Sequence, residues 1–144
     1  MRDALQRAKQ RLASAHVDGT QWFWPAAEDL PPRADVEDER VRLLAPFDPV
    51  VWDRRRFELF WGWQYRFEAY TPALKRKLGY YALPLLWRDR VVGWGNLTAA
   101  EGHLSASFGY VTGKPPSARA FKRGLEEELA GMERFLRGRK AAGR

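Results

Sequence analysis

The sequence predicts an α+β domain: a small, strongly bent antiparallel sheet or partial β-barrel, flanked by N-terminal and C-terminal helices. Three observations carry this reading. Short apolar runs, several of them alternating, fill the middle of the chain and are separated by turns rich in Gly, Pro and Asp. Gly93 and Gly95 lie inside one such run, at the kind of position where a sheet bends to close. The two ends show helical spacing instead. With 144 residues, 45% hydrophobic and 14% aromatic, the chain is long enough for one domain with a core, and its composition is not that of a disordered segment.

In chain order, Arg2 to Ala15 is expected as a helix, because Leu5, Ala8, Leu12 and Ala15 recur at helical spacing. The stripe is thin and mostly alanine, so the helix needs another surface to lean on. Asp18-Gly19 is a turn signal, and "QWFWP" after it reads as a short strand closed by Pro25. Glu28 to Glu39 is acidic, contains Pro31-Pro32 and keeps no regular period, so it is assigned to a surface loop. A weaker alternative has its acids folding over the basic surface in competition with an anionic ligand.

"VRLLA", Val41 to Ala45, is a strand candidate, followed by a turn that Pro46 and Pro49 bracket and Asp48 suits. Asp53 can cap a short helix from Arg54, with Phe57, Phe60 and Trp61 on one side and Gly62 at its end. "YRFEAYT" alternates, which predicts a strand. "YYALPLLW" and "VVGWGNLT", joined through Arg88-Asp89-Arg90, predict a β-hairpin, with Pro84 marking an edge or a bulge. "HLSASFGYV" is one more strand. After Lys114-Pro115-Pro116, Ser117 caps a helix to about Leu136, whose stripe is Phe121, Leu125, Leu129, Met132 and Phe135/Leu136. "RGRKAAGR" is left as a frayed basic tail. Trp52, Phe57, Phe60, Phe67 and Trp94 are the expected aromatic core.

The formal net charge is +7 and the pI about 10.0, a balance that favours a phosphate-rich partner or an anionic surface. The absence of cysteine excludes disulfide and thiol chemistry. No run of about 18 apolar residues exists to span a membrane, and Met1 to Ala15 lacks an apolar signal core, so a cytoplasmic address is expected. His16 and His103 have no companion at metal-ligand spacing, and His103 is expected in an exposed turn; no metal and no cofactor are expected. Neither a Gly-rich phosphate loop nor a nucleophile-elbow serine occurs. Asp48 and Glu68 would be the pair to consider for acid–base work, but a turn accounts for the first and a neighbouring arginine for the second.

A concentration of cations among aromatics remains, between Trp52 and Trp94. Arg54, Arg55 and Arg56, then Lys75, Arg76 and Lys77, then Arg88 and Arg90 are the candidate DNA-binding residues. Guanidinium and ammonium groups attract phosphates, and aromatic faces stack on unpaired bases. Arg88 and Arg90 are expected at a hairpin tip able to enter a groove. The plain alternative is a solvated cationic loop.

"RLLAPFDPVVWDRRRFELFWGW", followed by "YRFEAYTPALKRKLGYYALPLLWRDRVVGW", resembles the C-terminal part of the YcaQ/AlkZ family of winged-helix DNA glycosylases, which act on alkylated bases and interstrand crosslinks. The resemblance runs from about Ala8 to Leu97, including "ASAHVDGTQWFWP", and more loosely through the last helix. It implies a terminal barrel-like domain that closes against winged helices and double-stranded DNA. It also implies a division of the chain into a linking helix over residues 1–15, a β-rich domain over 16–113, and a helix with a basic tail over 114–144. In that family the catalytic motif, Gln, a hydrophobic residue, then Asp or Gln, lies in the N-terminal winged helices. Gln64-Tyr65-Arg66 and Gln21-Trp22-Phe23 both fail its third position, so no catalytic residue is carried over. The resemblance thus implies a DNA-binding accessory domain, non-catalytic in isolation, with an upstream winged-helix region as partner. A docking module that packs on those helices without touching DNA is the alternative.

Overall fold

The computed structural model describes residues 11–26, 38–100 and 103–141. The chain divides into two units, residues 1–36 and 37–144. In the first, β1 (Leu12–Val17) and β2 (Thr20–Pro25) form an antiparallel hairpin with Val17 opposite Thr20. Asp18 and Gly19 both have positive φ, +48° and +74°, the geometry a two-residue hairpin turn requires. The helix expected over Arg2 to Ala15 is therefore replaced by strand from Leu12 on. The run "LASAHV" fits a strand once the Asp-Gly turn brings it opposite "TQWFWP"; residues 2–10 lie outside the described part.

The second unit is built on a curled four-stranded antiparallel sheet, a half-barrel of order β3-β4-β5-β6. Its strands are β3 (Val41–Leu43), β4 (Ala82–Trp87), β5 (Arg90–Ala100) and β6 (His103–Tyr110). The sheet curls where glycines let backbones and rings come close. A Cβ on Gly93 would sit 2.1 Å from the Gly109 carbonyl oxygen, and one on Gly109 would sit 2.2 Å from the Trp94 ring. Trp94 faces Gly109 across the strand pair, so the indole covers the bare backbone.

Pro84 is not on an edge strand, since β4 lies between β3 and β5. Its carbonyl accepts the Leu44 N–H at 2.9 Å, on the side where β3 has ended. In a strand the N–H and C=O of one residue point the same way, so the donor that proline lacks removes no bond to β5. The expected bulge is present one residue on, where the register shifts between Leu85 and Leu86. His103 opens β6 opposite Ala100 rather than lying in a turn, and it is exposed.

Helices cover the sheet. Asp48 caps α1 (Pro49–Trp52) by accepting the Val50 N–H at 2.8 Å. Asp53 caps α2 (Arg54–Trp61) by accepting the Arg55 and Arg56 N–H groups at 3.1 Å, and Gly62, with φ +71°, closes it. α3 (Arg119–Ala141) begins two residues after Ser117, with the Ala118 carbonyl accepting the Lys122 N–H, and runs past Leu136 into the expected tail. Phe121 is fully buried against Trp87 and Tyr110, and Leu125, Leu129 and Met132 pack on the same cluster. Phe135, at the end of the stripe, is exposed. Glu128 of α3 accepts the Leu43 N–H at 2.9 Å and so satisfies the open edge of β3.

A second cluster forms around Phe57, which packs on Trp61, Trp63 and Tyr65 at 4.6, 5.1 and 5.6 Å. Phe57 fills its expected place, and Phe67 and Trp94 are half-buried. Trp52 and Phe60 do not belong to the core: they are 70% and 53% exposed. In one-turn α1 the neighbouring Val51 takes the inward position, and in α2 the i, i+4 pair Phe57/Trp61 does.

"YRFEAYT" is not a strand; residues 64–81 contain only a single 3-10 turn, Ala73–Lys75. The cause is Glu68, expected to pair with an arginine but buried at 6% exposure. Its Oε2 accepts the N–H groups of Lys77, Leu78 and Gly79 at 2.8, 2.7 and 3.3 Å. One carboxylate thus does what a ladder would do and closes a loop in place of a strand. Among the described residues no helix is long and apolar enough to cross a membrane.

Candidate nucleic-acid interface

The candidate cations fall into structurally different groups. Arg54 leaves Asp53 at the first turn of α2 and folds inward. It donates to the carbonyls of Val51 at 2.7 Å and Pro46 at 3.2 Å, and lies 4.6 Å over the Tyr65 ring. Burial pulls its pKa below the ordinary arginine value, with Tyr65 acting against that; an arginine has range enough to stay charged. Burial likewise pushes the Tyr65 hydroxyl up to about 12, where it remains a donor to the Ala82 carbonyl at 2.7 Å. Arg56 turns back to the Pro49 carbonyl. Arg55 is exposed and makes no side-chain hydrogen bond or ion pair with the described residues.

Arg54 and Arg55 line a cleft of about 540 Å³ together with Arg66 from the following segment. Glu58 is the one acid in its wall, and its carboxylate accepts the Gln64 Nε2–H at 3.1 Å. Arg66 is exposed, and its guanidinium has no partner among the described residues. In the sequence Arg66 stands out only as a polar member of an alternating run and as the residue that breaks the Gln–hydrophobic–Asp/Gln pattern, not as a DNA-binding candidate.

Lys75, Arg76 and Lys77 sit on the loop that Glu68 closes. Burial pushes the Glu68 pKa up, but the N–H groups of Leu78, Gly79 and Lys77 outweigh this, and the carboxyl lies below the usual carboxylate value. Arg76 donates through Nε to the Thr71 carbonyl at 2.8 Å and lies 4.8 Å over the Tyr80 ring. Thr71 also lines the arginine cleft, so the loop and the cleft adjoin. Lys75 and Lys77 present their side chains to solvent. Gly79, at φ +124°, passes so close to Asn96 that a Cβ would stand 2.2 Å from Oδ1, while Asn96 Nδ2 donates to the Leu78 carbonyl at 2.8 Å. The loop is thereby fixed at both ends of its basic stretch.

The hairpin turn between β4 and β5 differs from the expected free tip. Arg88 takes a positive φ of +56°, stacks 4.7 Å over Trp87 and pairs with Glu39 at 3.6 Å. Glu39 also pairs with Arg123 of α3 at 3.3 Å. Arg90 leaves the turn in another setting: with Lys114 it lines a cleft of about 480 Å³ whose wall includes Trp61, Thr112 and Ser117. Trp61 Nε1 donates to the Asp89 carbonyl at 2.9 Å and holds the turn to α2.

Two aromatic residues, Tyr65 and Phe67, are in the wall of the first cleft. Phe67, in its wall, touches Phe47, Tyr70 and Tyr81 at 5.6, 6.3 and 5.1 Å. Phe47, Tyr70 and Tyr81 are all exposed. Neither Asp48 nor Glu68 is placed as an acid–base pair: one caps a helix and the other holds three N–H groups. Among the described residues no group of three or more His, Asp and Glu is arranged to hold a metal.

The fold and surface define a mixed helix-and-strand half-barrel carrying exposed cations beside exposed rings. The family model described as DNA glycosylase AlkZ-like matches residues 1–135, and the chain belongs to that family. This places it in the context of DNA repair by glycosylases. No solved structure matches it.

Proposed function

We propose that this chain is the DNA-binding accessory part of an AlkZ-type repair glycosylase. It grips phosphates of double-stranded DNA in the cytoplasm with Arg55, Arg66, Lys75, Lys77 and Arg90, and supplies no group to N-glycosidic bond hydrolysis. The observation that carries this reading is the cleft in which Arg54, Arg55 and Arg66 face a single carboxylate beside the basic loop. Arg55 and Arg66, which have no side-chain partner among the described residues, stay solvated and release counterions when a phosphate takes the place of water. Arg54 and Arg56 serve mainly to hold backbone carbonyls in this reading, and Arg88 is biased toward Glu39. Family membership supports DNA as the partner. The missing Gln–hydrophobic–Asp/Gln motif, together with the structural engagement of Asp48 and Glu68, supports the non-catalytic role.

Incubating the purified chain with duplex containing an alkylated purine, then cleaving abasic sites with alkali, tests the second half. Background strand breakage is expected. Breaks above background that vanish on substituting a residue of this chain would reverse it.

A second reading is favoured by one observation: Val50, Trp52, Leu59 and Phe60 of α1 and α2 are exposed. In that reading the chain docks on winged-helix domains through this apolar face and its cations only keep it in solution. The Trp52→Ala/Phe60→Ala variant separates the two, since phosphate binding by the cleft survives the change.

A further inference from the structure

We propose that the arginine cleft and the aromatic ledge beside it hold an unpaired nucleotide of a DNA strand, with its phosphate between Arg55 and Arg66 and its base stacked on Tyr70. The inference rests on the DNA-binding reading above and narrows it from phosphate backbone to unpaired strand.

Tyr70 is 94% exposed, so its ring is almost wholly open to water. It nevertheless has a fixed neighbour, Phe67, at 6.3 Å and 81° between ring planes. Phe67 is in turn wedged against Phe47 and Tyr81 and lines the arginine cleft. The next residue, Thr71, is also in the cleft wall and holds Arg76 through its carbonyl. An open aromatic ring and a cationic hollow, linked through Phe67 and Thr71, thus share a backbone that Glu68 ties down through the Thr71 and Leu78 regions. The Thr71 N–H donates to the Glu68 carbonyl at 2.9 Å, which sets Tyr70 at the corner of a tight turn.

This pairing of a cationic groove with a ring platform suits single strands, because every base has a π-face and the charge tracks the backbone. In a matched duplex the faces are already stacked, so the cleft would meet phosphates and Tyr70 would meet no base. An acidic protein surface would satisfy the arginines and leave the ring without a planar partner.

The test is fluorescence anisotropy with the full chain and three end-labelled probes of equal length: oligothymidylate, the same strand with abasic sugars throughout, and a matched duplex. Tyr70→Ala should weaken oligothymidylate binding by about fivefold or more. It should leave the abasic strand and the duplex within about twofold of the parent. Tyr70→Phe, which keeps the ring, should restore parental affinity, and Arg66→Ala should weaken all three probes. Equal affinity of Tyr70→Ala and parent for oligothymidylate would overturn the stacking proposal, as would abasic strand bound as tightly as oligothymidylate. Either result with salt-dependent duplex binding intact defeats this inference alone. Failure of the parent to bind any probe defeats it together with the DNA-binding reading.

Discussion

The stretch from β4 to α3 and the stretch from Gly62 to Tyr81 hold their shape by opposite means. The first is a periodic structure: alternating residues of β4 and β5 and the i, i+4 stripe of α3 meet in one apolar cluster around Leu85 and Phe121. The second has no ladder and a single 3-10 turn. Its start is seated by Trp63 and Tyr65 on the Phe57 cluster, and the rest is held by a few polar anchors: Glu68 on the 77–79 N–H groups, Arg76 on Thr71, and Asn96 on Leu78. The cations and open rings of the candidate interface concentrate in that second stretch and the adjoining α2. An irregular segment can aim side chains in directions that neither a strand nor a helix permits, and it becomes precise once its backbone groups have fixed partners.

The periodic stretch depends most on Phe121. Phe121→Ala removes a fully buried ring from between Trp87 and Tyr110 and should lower stability by about 3–5 kcal/mol in urea unfolding. Glu68→Ala should lower it by about 2–3 kcal/mol, because several N–H groups lose a charged acceptor. Its distinctive mark is local: hydrogen exchange should accelerate at Lys77, Leu78 and Gly79 and not in α3. The Glu68 carboxyl titrates lower in the folded than in the unfolded chain. Its contribution is therefore complete above the unfolded value and is lost as pH falls through the folded one. Acidification below about pH 4 should loosen the loop, and Glu68→Gln should remove that part of the acid sensitivity.

Gly109→Ala should cost about 1–2 kcal/mol, since the added methyl must displace the Trp94 indole. A shift in tryptophan fluorescence should accompany it. Trp52→Ala should change stability by less than about 0.5 kcal/mol, as its ring is exposed on α1. A large loss there would mean that the apolar face of α1 and α2 supports the fold rather than remaining available to a partner.

The periodic half was legible in the sequence. The hairpin of "YYALPLLW" and "VVGWGNLT", the cap at Asp53 with its stop at Gly62, and the Phe121 stripe each follow from a local rule that the tertiary structure obeys. The irregular half was not. "YRFEAYT" alternates perfectly well for a strand, and nothing local says that Glu68 goes inside to meet N–H groups nine to eleven residues later. "LASAHV" carries helical spacing, and only pairing across Asp18-Gly19 makes it a strand. The candidate interface was half visible for the same reason. Clusters of basic residues can be read directly, but neither the burial of Arg54, nor the Glu39 partner of Arg88, nor the place of Arg66 beside Arg55 has a sequence signal of its own.

The most direct test of the central claim is the affinity of the chain for a matched duplex across a salt series, for the parent and for the variant with Arg55, Arg66, Lys75 and Lys77 all replaced by alanine. A steep inverse dependence on salt is expected for the parent. The variant should remain folded by circular dichroism, bind at least about tenfold more weakly near 0.1 M salt, and show a log–log slope smaller by roughly 3.6. A folded variant with parental affinity and parental slope would contradict that claim.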